Sequence, residues 1–190
     1  MKVLALGGSP RRGGNSDLLA DEFLRGAKEA GAEVDKVYLD DQWIRPIGEV
    51  SDATGGRLDP RDDDDFPRVL ARFLEADIVV FATPVYWAGV SAQTKCFIDR
   101  LSSYFRLPDV APKLNGKGYA VLCTFGRADP SHGKFVTEPM RLCADVLGGR
   151  YLGDVSVSAH NRGQVKEKPE ALQAAYELGG KAVRLMHAKS

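Results

Sequence analysis

The chain of 190 residues carries 26 Lys+Arg against 26 Asp+Glu, is 44% hydrophobic and 27% charged, and contains 20 Gly, 10 Pro and 3 Cys. That length makes one domain, residues 1–190, able to bury its own core without disulfides or a structural metal. Zero net charge argues against a dedicated nucleic-acid binder, and a near-average composition argues against a disordered or fibrous chain.

Short apolar runs alternate with longer helical patterns along the chain. Val3–Leu6 reads as a buried strand ended by Gly7 and Gly8. Asn15–Ala30 reads as a helix with Leu19, Phe23, Ala27 and Ala30 on one face, Asn15 or Ser16 as its cap and Gly31 as its stop. Val34–Leu39 is an alternating strand, and the polar segment 40–61, rich in Gly, Pro and Asp, is a long irregular connection. A second helix follows over Asp65–Glu75, with Phe66, Val69, Leu70 and Phe73 inward. The aspartates Asp62–Asp65 read as a solvated entry to that helix, where carboxylates suit the positive end of the dipole. Four successive side chains diverge too widely to converge on one metal ion.

Ile78–Ala82 is the strongest strand, followed by a helix over Ser91–Ser103 with Phe97, Ile98 and Leu101 as core contacts. Tyr119–Cys123 and Tyr151–Val157 are strands, Val136–Leu147 is a helix, and Pro169 opens the last helix in the position proline favours. The result is five rounds of strand then helix. Uninterrupted apolar strands imply burial on both faces, hence a three-layer α/β domain with a parallel sheet. Cys96, Cys123 and Cys143 are far apart and form no C-x-x-C, so they read as small hydrophobes rather than metal ligands. No stretch approaches the ~18 apolar residues of a membrane span, nor does the N-terminus read as a signal peptide. A cytoplasmic, reducing location is expected.

In an open α/β sheet, ligands bind beyond the carboxyl ends of the strands where the order reverses, which for the order 2-1-3-4-5 lies between the first and third strands. The two most unusual loops follow those strands. The first runs from Gly7 through Ser9, Pro10, Arg11, Arg12, Gly13 and Gly14 to Asn15 and Ser16 ahead of a helix. Glycines let backbone approach an anion, while hydroxyls, guanidiniums and helix amides can hold it. Gly14 and Asn15 stand where a Walker loop needs Lys and Ser/Thr, and no G-x-G-x-x-G is present, so a terminal phosphate monoester suits the loop better than a triphosphate or a bridging pyrophosphate. The second loop, Thr83 to Ser91, carries Pro84, Val85, Tyr86 and Trp87 where the chain should emerge into solvent, as the wall for a flat heteroaromatic ligand would. An interface or core-capping role for Tyr86 and Trp87 is compatible with the same pattern.

At these residues the sequence resembles the flavodoxin-like NADPH-dependent FMN reductase family, through Gly8–Ser16, Ala76–Trp87 and Val90–Arg100. The resemblance implies a flavodoxin-like three-layer sandwich and FMN as cofactor, with NADPH or NADH as co-substrate. It implies that Ser9, Arg11, Asn15 and Ser16 hold the phosphate, that Pro84, Val85, Tyr86 and Trp87 line the flavin ring, and that Thr124, Phe125, Gly126 and Arg127 close its other side. It also implies a homodimer or homotetramer. Iron–sulfur flavoproteins of the same superfamily carry a cysteine cluster after the second strand, but Ile44–Arg61 contains no cysteine. FMN would then be the only redox centre.

The expected activity is an FMN-dependent NAD(P)H oxidoreductase acting on free flavin, quinone or a similar small acceptor. The flavin performs the redox chemistry, so no protein acid or base is required and no catalytic residue is assigned. His132 and His160 read as solvent-facing loop residues remote from both motifs. A flavodoxin-type electron carrier is the alternative, disfavoured because such carriers are acidic and this chain is neutral. A hydrolase using Ser9 as nucleophile ranks third, for want of a neighbouring base or metal cluster.

Overall fold

The computed structural model describes residues 1–48 and 63–188. Five parallel strands, β1 (Lys2–Gly7), β2 (Glu33–Tyr38), β3 (Ile78–Pro84), β4 (Gly118–Phe125) and β5 (Arg150–Ser158), form one sheet in the order β2-β1-β3-β4-β5. Among the described residues six α-helices accompany them: α1 (Asn15–Glu29), α2 (Phe66–Glu75), α3 (Ala92–Arg100), the single-turn α4 (Ala111–Leu114), α5 (Lys134–Val146) and α6 (Pro169–His187). The expected elements are all present, and the segment 40–61 begins with a 3-10 turn, Leu39–Asp41. Residues 49–61 of that segment, and Asp62 of the aspartate run, lie outside the described residues.

Alternation along the buried strands divides the core in two, because successive side chains point to opposite faces. Val3, Ala5, Ile78, Val80 and Leu122 pack beneath α1 and α6. Leu4, Leu6, Val79, Phe81 and Val121 pack beneath α2, α3 and α5, where Phe66, Phe73 and Phe97 form a ring cluster with centroids 5.3–5.4 Å apart along its contacts. All residues of β3 and β4 are buried, which is what their unbroken apolar sequence requires.

The aspartate run is not uniformly solvated. Asp64 and Arg100 both have fully buried side chains and form an ion pair of 2.5 Å. Asp64 also accepts from the backbone amides of Arg45 and Phe66, at 2.9 Å each. Burial pushes its carboxyl up, but Arg100 and the two amides outweigh that and hold it below the usual range. Asp65 in turn accepts from Trp43 N at 2.8 Å. These aspartates fasten the chain on either side of residues 49–62. Among the described residues no cluster could hold a metal ion, and no helix is long and apolar enough to cross a membrane.

Candidate functional site

The carboxyl ends of β1, β3, β4 and β5 open into one crevice of about 260 Å³. Its first end is built by the loop after β1. Ser9, Arg11, Asn15 and Ser16 all line it, with Ser16 almost wholly buried. Ser9 Oγ accepts from Arg11 N at 3.1 Å, fixing the turn. The N-cap of α1 is Gly14 and makes no side-chain cap bond, so neither Asn15 nor Ser16 caps the helix as its sequence suggested. The first-turn amides of α1 therefore lack a capping partner where the helix dipole is positive.

Asn15 is otherwise engaged. Its Nδ2 donates to Ala159 O at 3.0 Å and Asn161 O at 2.8 Å, while its Oδ1 accepts from Val165 N at 3.0 Å. All its amide groups thus clamp the loop after β5 onto the loop after β1. That clamp brings in Ala159, His160 and Arg162, which the sequence did not single out as site residues and which line the crevice. Arg162 donates to the carbonyl oxygen of Arg12, so its guanidinium stands over the first loop. Arg12 itself turns away from the crevice: it pairs with Asp41 and stacks on Tyr38, 3.1 Å from the ring centroid. Burial works against its charge, but Asp41 and Tyr38 raise its pKa all the same.

The second end is apolar. Pro84, Val85, Tyr86, Thr124, Phe125 and Gly126 line it. Val85 N donates to Thr124 O at 2.7 Å, drawing the loops after β3 and β4 together. A Cβ at Gly126 would lie 2.6 Å from His160 Nδ1, so the His160 ring packs closely against its backbone. His160 is thus a crevice residue, contrary to its reading as a remote loop histidine. His132 stays outside the crevice wall, stacked on Phe125 at 6.3 Å and bonded to Asp129 O. Arg127 is exposed and also outside the wall.

Trp87 does not join that wall. Tyr86 and Gly89 exchange both backbone hydrogen bonds, at 2.9 and 3.0 Å, and close a tight turn. Its central residues, Trp87 and Ala88, have φ of 49° and 58°, and the indole is fully exposed at 103%. Two non-glycine residues in the left-handed region make this a strained turn.

A buried polar knot locks the first and second loops to each other. Ser91 Oγ donates to Gly8 O at 2.6 Å and accepts from Thr94 N at 3.3 Å, capping α3. Ser91 N donates to Thr83 Oγ1 at 3.1 Å. Ser91, Thr83 and Thr94 have no solvent exposure. A Cβ at Gly8 would sit inside the van der Waals shell of Thr94 Oγ1 and 2.8 Å from Ser91 Oγ, so only glycine allows this approach. No thiol takes part: burial pushes Cys123 up to about 12 and raises Cys96 and Cys143 as well, which keeps all three as poor nucleophiles.

The donor set at one end, two hydroxyls, two guanidiniums and a helix N-terminus, matches a phosphate dianion. The apolar walls and the bare Gly126 backbone at the other match a flat ring. The family profile described as NADPH-dependent FMN reductase matches residues 1–164. YwqN of Bacillus subtilis, a putative NAD(P)H-dependent FMN-containing oxidoreductase, is 30% identical over 181 residues, covering 94% of this chain and 96% of that protein. An iron-sulfur flavoprotein of Methanocaldococcus jannaschii is 40% identical over 101 residues, covering 53% of this chain and 51% of its own. The solved structure of a Trp repressor binding protein from Bacillus subtilis superimposes with a TM-score of 0.72 at 27% identity, covering 94% of this chain and 98% of that one.

Proposed function

The chain belongs to the NADPH-dependent FMN reductase family, its chemistry is that of an FMN-dependent NAD(P)H oxidoreductase, and we propose that the crevice between the loops after β1, β3, β4 and β5 seats the FMN. FMN, when bound, would supply hydride-transfer chemistry between a nicotinamide and a small acceptor such as free flavin or a quinone. Ser9, Ser16, Arg11, Arg162 and the first amides of α1 hold the phosphate. Arg162 takes the place that Arg12 vacates, and Asn15 acts as a positioning residue that keeps the loop after β5 closed on it. Pro84, Val85 and Tyr86 line one side of the ring, while Thr124, Phe125, Gly126 and His160 line the other. The backbone after Pro84 and at Gly126 can donate to ring oxygens and nitrogens without a side chain intervening. The chain assembles as a homodimer or homotetramer and works in the cytoplasm, in keeping with its free cysteines.

The observation that carries this reading is the gathering of cationic, hydroxylic and apolar groups at opposite ends of one crevice. Titration of the ligand-free protein with FMN and with riboflavin, followed by fluorescence quenching, tests it. Wild type should favour FMN over riboflavin, and Arg11→Ala or Arg162→Ala should shrink that preference by about tenfold, as expected for a charge-assisted contact of roughly 1.5 kcal/mol. Tyr86→Ala should weaken both ligands alike. A protein that binds neither flavin and oxidises neither NADPH nor NADH refutes the proposal.

A further inference from the structure

A carboxylate stands directly behind the first loop. Asp17, in the first turn of α1, is only 6% exposed and does not line the crevice, although Gly14, Asn15 and Ser16 just before it do. Its Oδ2 accepts from Gly13 N at 2.7 Å. Gly13 has φ of 62°, so this bond holds the loop in the left-handed bend that leads into the helix. The bond brings a cost with it. A negative charge at the N-terminus of α1 draws on the same positive helix end as an anion in the crevice would, and salt screens buried charges little.

Lys36 offsets that charge. It pairs in register with Ala5 and shares with Val34 the face of β2 that α1 covers. Its Nζ pairs with Asp17 Oδ1, donates to Asp17 O at 3.4 Å and reaches Asp21 Oδ1 at 2.7 Å. The Lys36 and Asp17 side chains are 12% and 7% exposed, so this is a largely buried pair. Burial works against the lysine's charge, but Asp17, Asp21 and Tyr38 outweigh it and raise its pKa. A buried ion pair adds little net stability over an apolar pair of the same size, so stability alone does not explain it. An apolar pair, however, could not hold Gly13 N.

A second cation nearby is matched in the same way. The Tyr38 ring lies 4.8 Å from Lys36 Nζ and 3.1 Å from the Arg12 guanidinium, and Arg12 pairs with Asp41. Each cation of this outer layer has its own carboxylate. Among the described residues, Arg11 and Arg162 are the arginines and lysines that line the crevice itself.

We propose that Asp17 and Lys36 are a positioning pair for phosphate recognition: the carboxylate fixes Gly13, and the ammonium cancels its charge so that the crevice keeps its attraction for the phosphate of the flavin. The inference rests on the reading that the crevice seats FMN, and it adds two residues that touch no ligand.

Titration of the ligand-free protein with FMN and with riboflavin, near pH ~8 where carboxylates are ionised, tests it. Lys36→Met leaves Asp17 uncompensated and should weaken FMN about tenfold while riboflavin changes by less than about twofold. Raising the salt should narrow that gap only slightly, because the charges are buried. Asp17→Asn keeps an acceptor for Gly13 N and should raise the preference for FMN over riboflavin about threefold. Lys36→Met with Asp17→Asn should restore the preference lost in Lys36→Met. Circular dichroism verifies folding, and the Asp17→Asn comparison decides the matter if Lys36→Met does not fold. Equal weakening of both flavins by Lys36→Met, or a preference indifferent to Asp17→Asn, overturns this inference alone. A wild type that binds neither flavin overturns the FMN reading and this inference with it.

Discussion

Replacing Gly8 by alanine tests whether the two loops at the sheet's switch point act as one unit. The added Cβ has nowhere to go: it would intrude on Thr94 Oγ1 and lie 2.8 Å from Ser91 Oγ, and both residues are entirely buried. Relief requires the loop after β1 to part from α3, which breaks the 2.6 Å bond from Ser91 Oγ to Gly8 O. Leaving a buried carbonyl without its donor costs ~1–3 kcal/mol, and overpacking a rigid neighbourhood costs ~1–3 kcal/mol more. Together these give about 4 kcal/mol, or a fall in Tm of about 8–16 °C for a domain of this size. The displacement also moves Ser9 and Ser16 relative to Pro84 and Tyr86, so FMN affinity should fall with stability. Adding Thr94→Ala to Gly8→Ala removes the worst overlap and should recover part of both losses. Thermal melting and FMN titration of the two variants provide the readout. If Gly8→Ala melts within about 2 °C of wild type and binds FMN normally, the loops are not locked as described.

Arg100→Met should cost about 3–5 kcal/mol in urea denaturation because it leaves buried Asp64 with only the more distant Arg45, at 3.9 Å, while Arg100→Met with Asp64→Leu should cost less than the two single changes summed. Asp64 has a lowered folded pKa, so its contribution is complete above the unfolded value of about 3.9 and is lost as the pH falls through the folded one; Asp64→Asn should flatten the acid side of the stability curve. Lys117 behaves in the opposite sense: burial, with the Asp77 charge only partly opposing, brings it down from 10.5 to about 8. Between those values the unfolded chain binds more protons, so stability should rise with pH by at most about 3 kcal/mol, and Lys117→Met should remove that rise from urea midpoints measured across the window. Trp87→Gly should raise Tm by about 2–4 °C through relief of the left-handed backbone, with FMN affinity unchanged because the indole stands clear of the crevice. A large loss of FMN affinity in that variant would show instead that the indole folds over the ring.

The elements could be read from the sequence because their signals are local. The unbroken run of β3 and the inward Phe66, Val69, Leu70 and Phe73 of α2 report burial through spacing alone, and the structure buries each of them. Pro84 and Tyr86 stand out in the sequence because they follow the carboxyl end of a buried strand at the switch point, whereas Thr124 is implied only by the family resemblance; all three line the crevice. What stayed hidden depends on partners far away in sequence. Asp64 looks like one of several solvated aspartates until Arg100, at 36 positions' remove, is folded against it. Trp87 looks like a ring wall until the Tyr86–Gly89 turn reverses the chain and throws it outward.

The first loop shows why a motif points to a proposed anion site without setting its charge. Arg11 and Arg12 are adjacent in sequence, yet neighbouring side chains diverge, and Tyr38 with Asp41 at the end of β2 draws Arg12 away. The cation that replaces it, Arg162, arrives because α1 and α6 lie side by side on one sheet face, so the loops leading towards them run together. Asn15 then fastens the two loops, using donors and an acceptor that the motif alone would have assigned to a ligand. The number of cations around the proposed phosphate site is therefore decided by helix packing beneath it. A change at the α1–α6 contact, remote from any ligand, should alter phosphate recognition before it alters the fit of the ring.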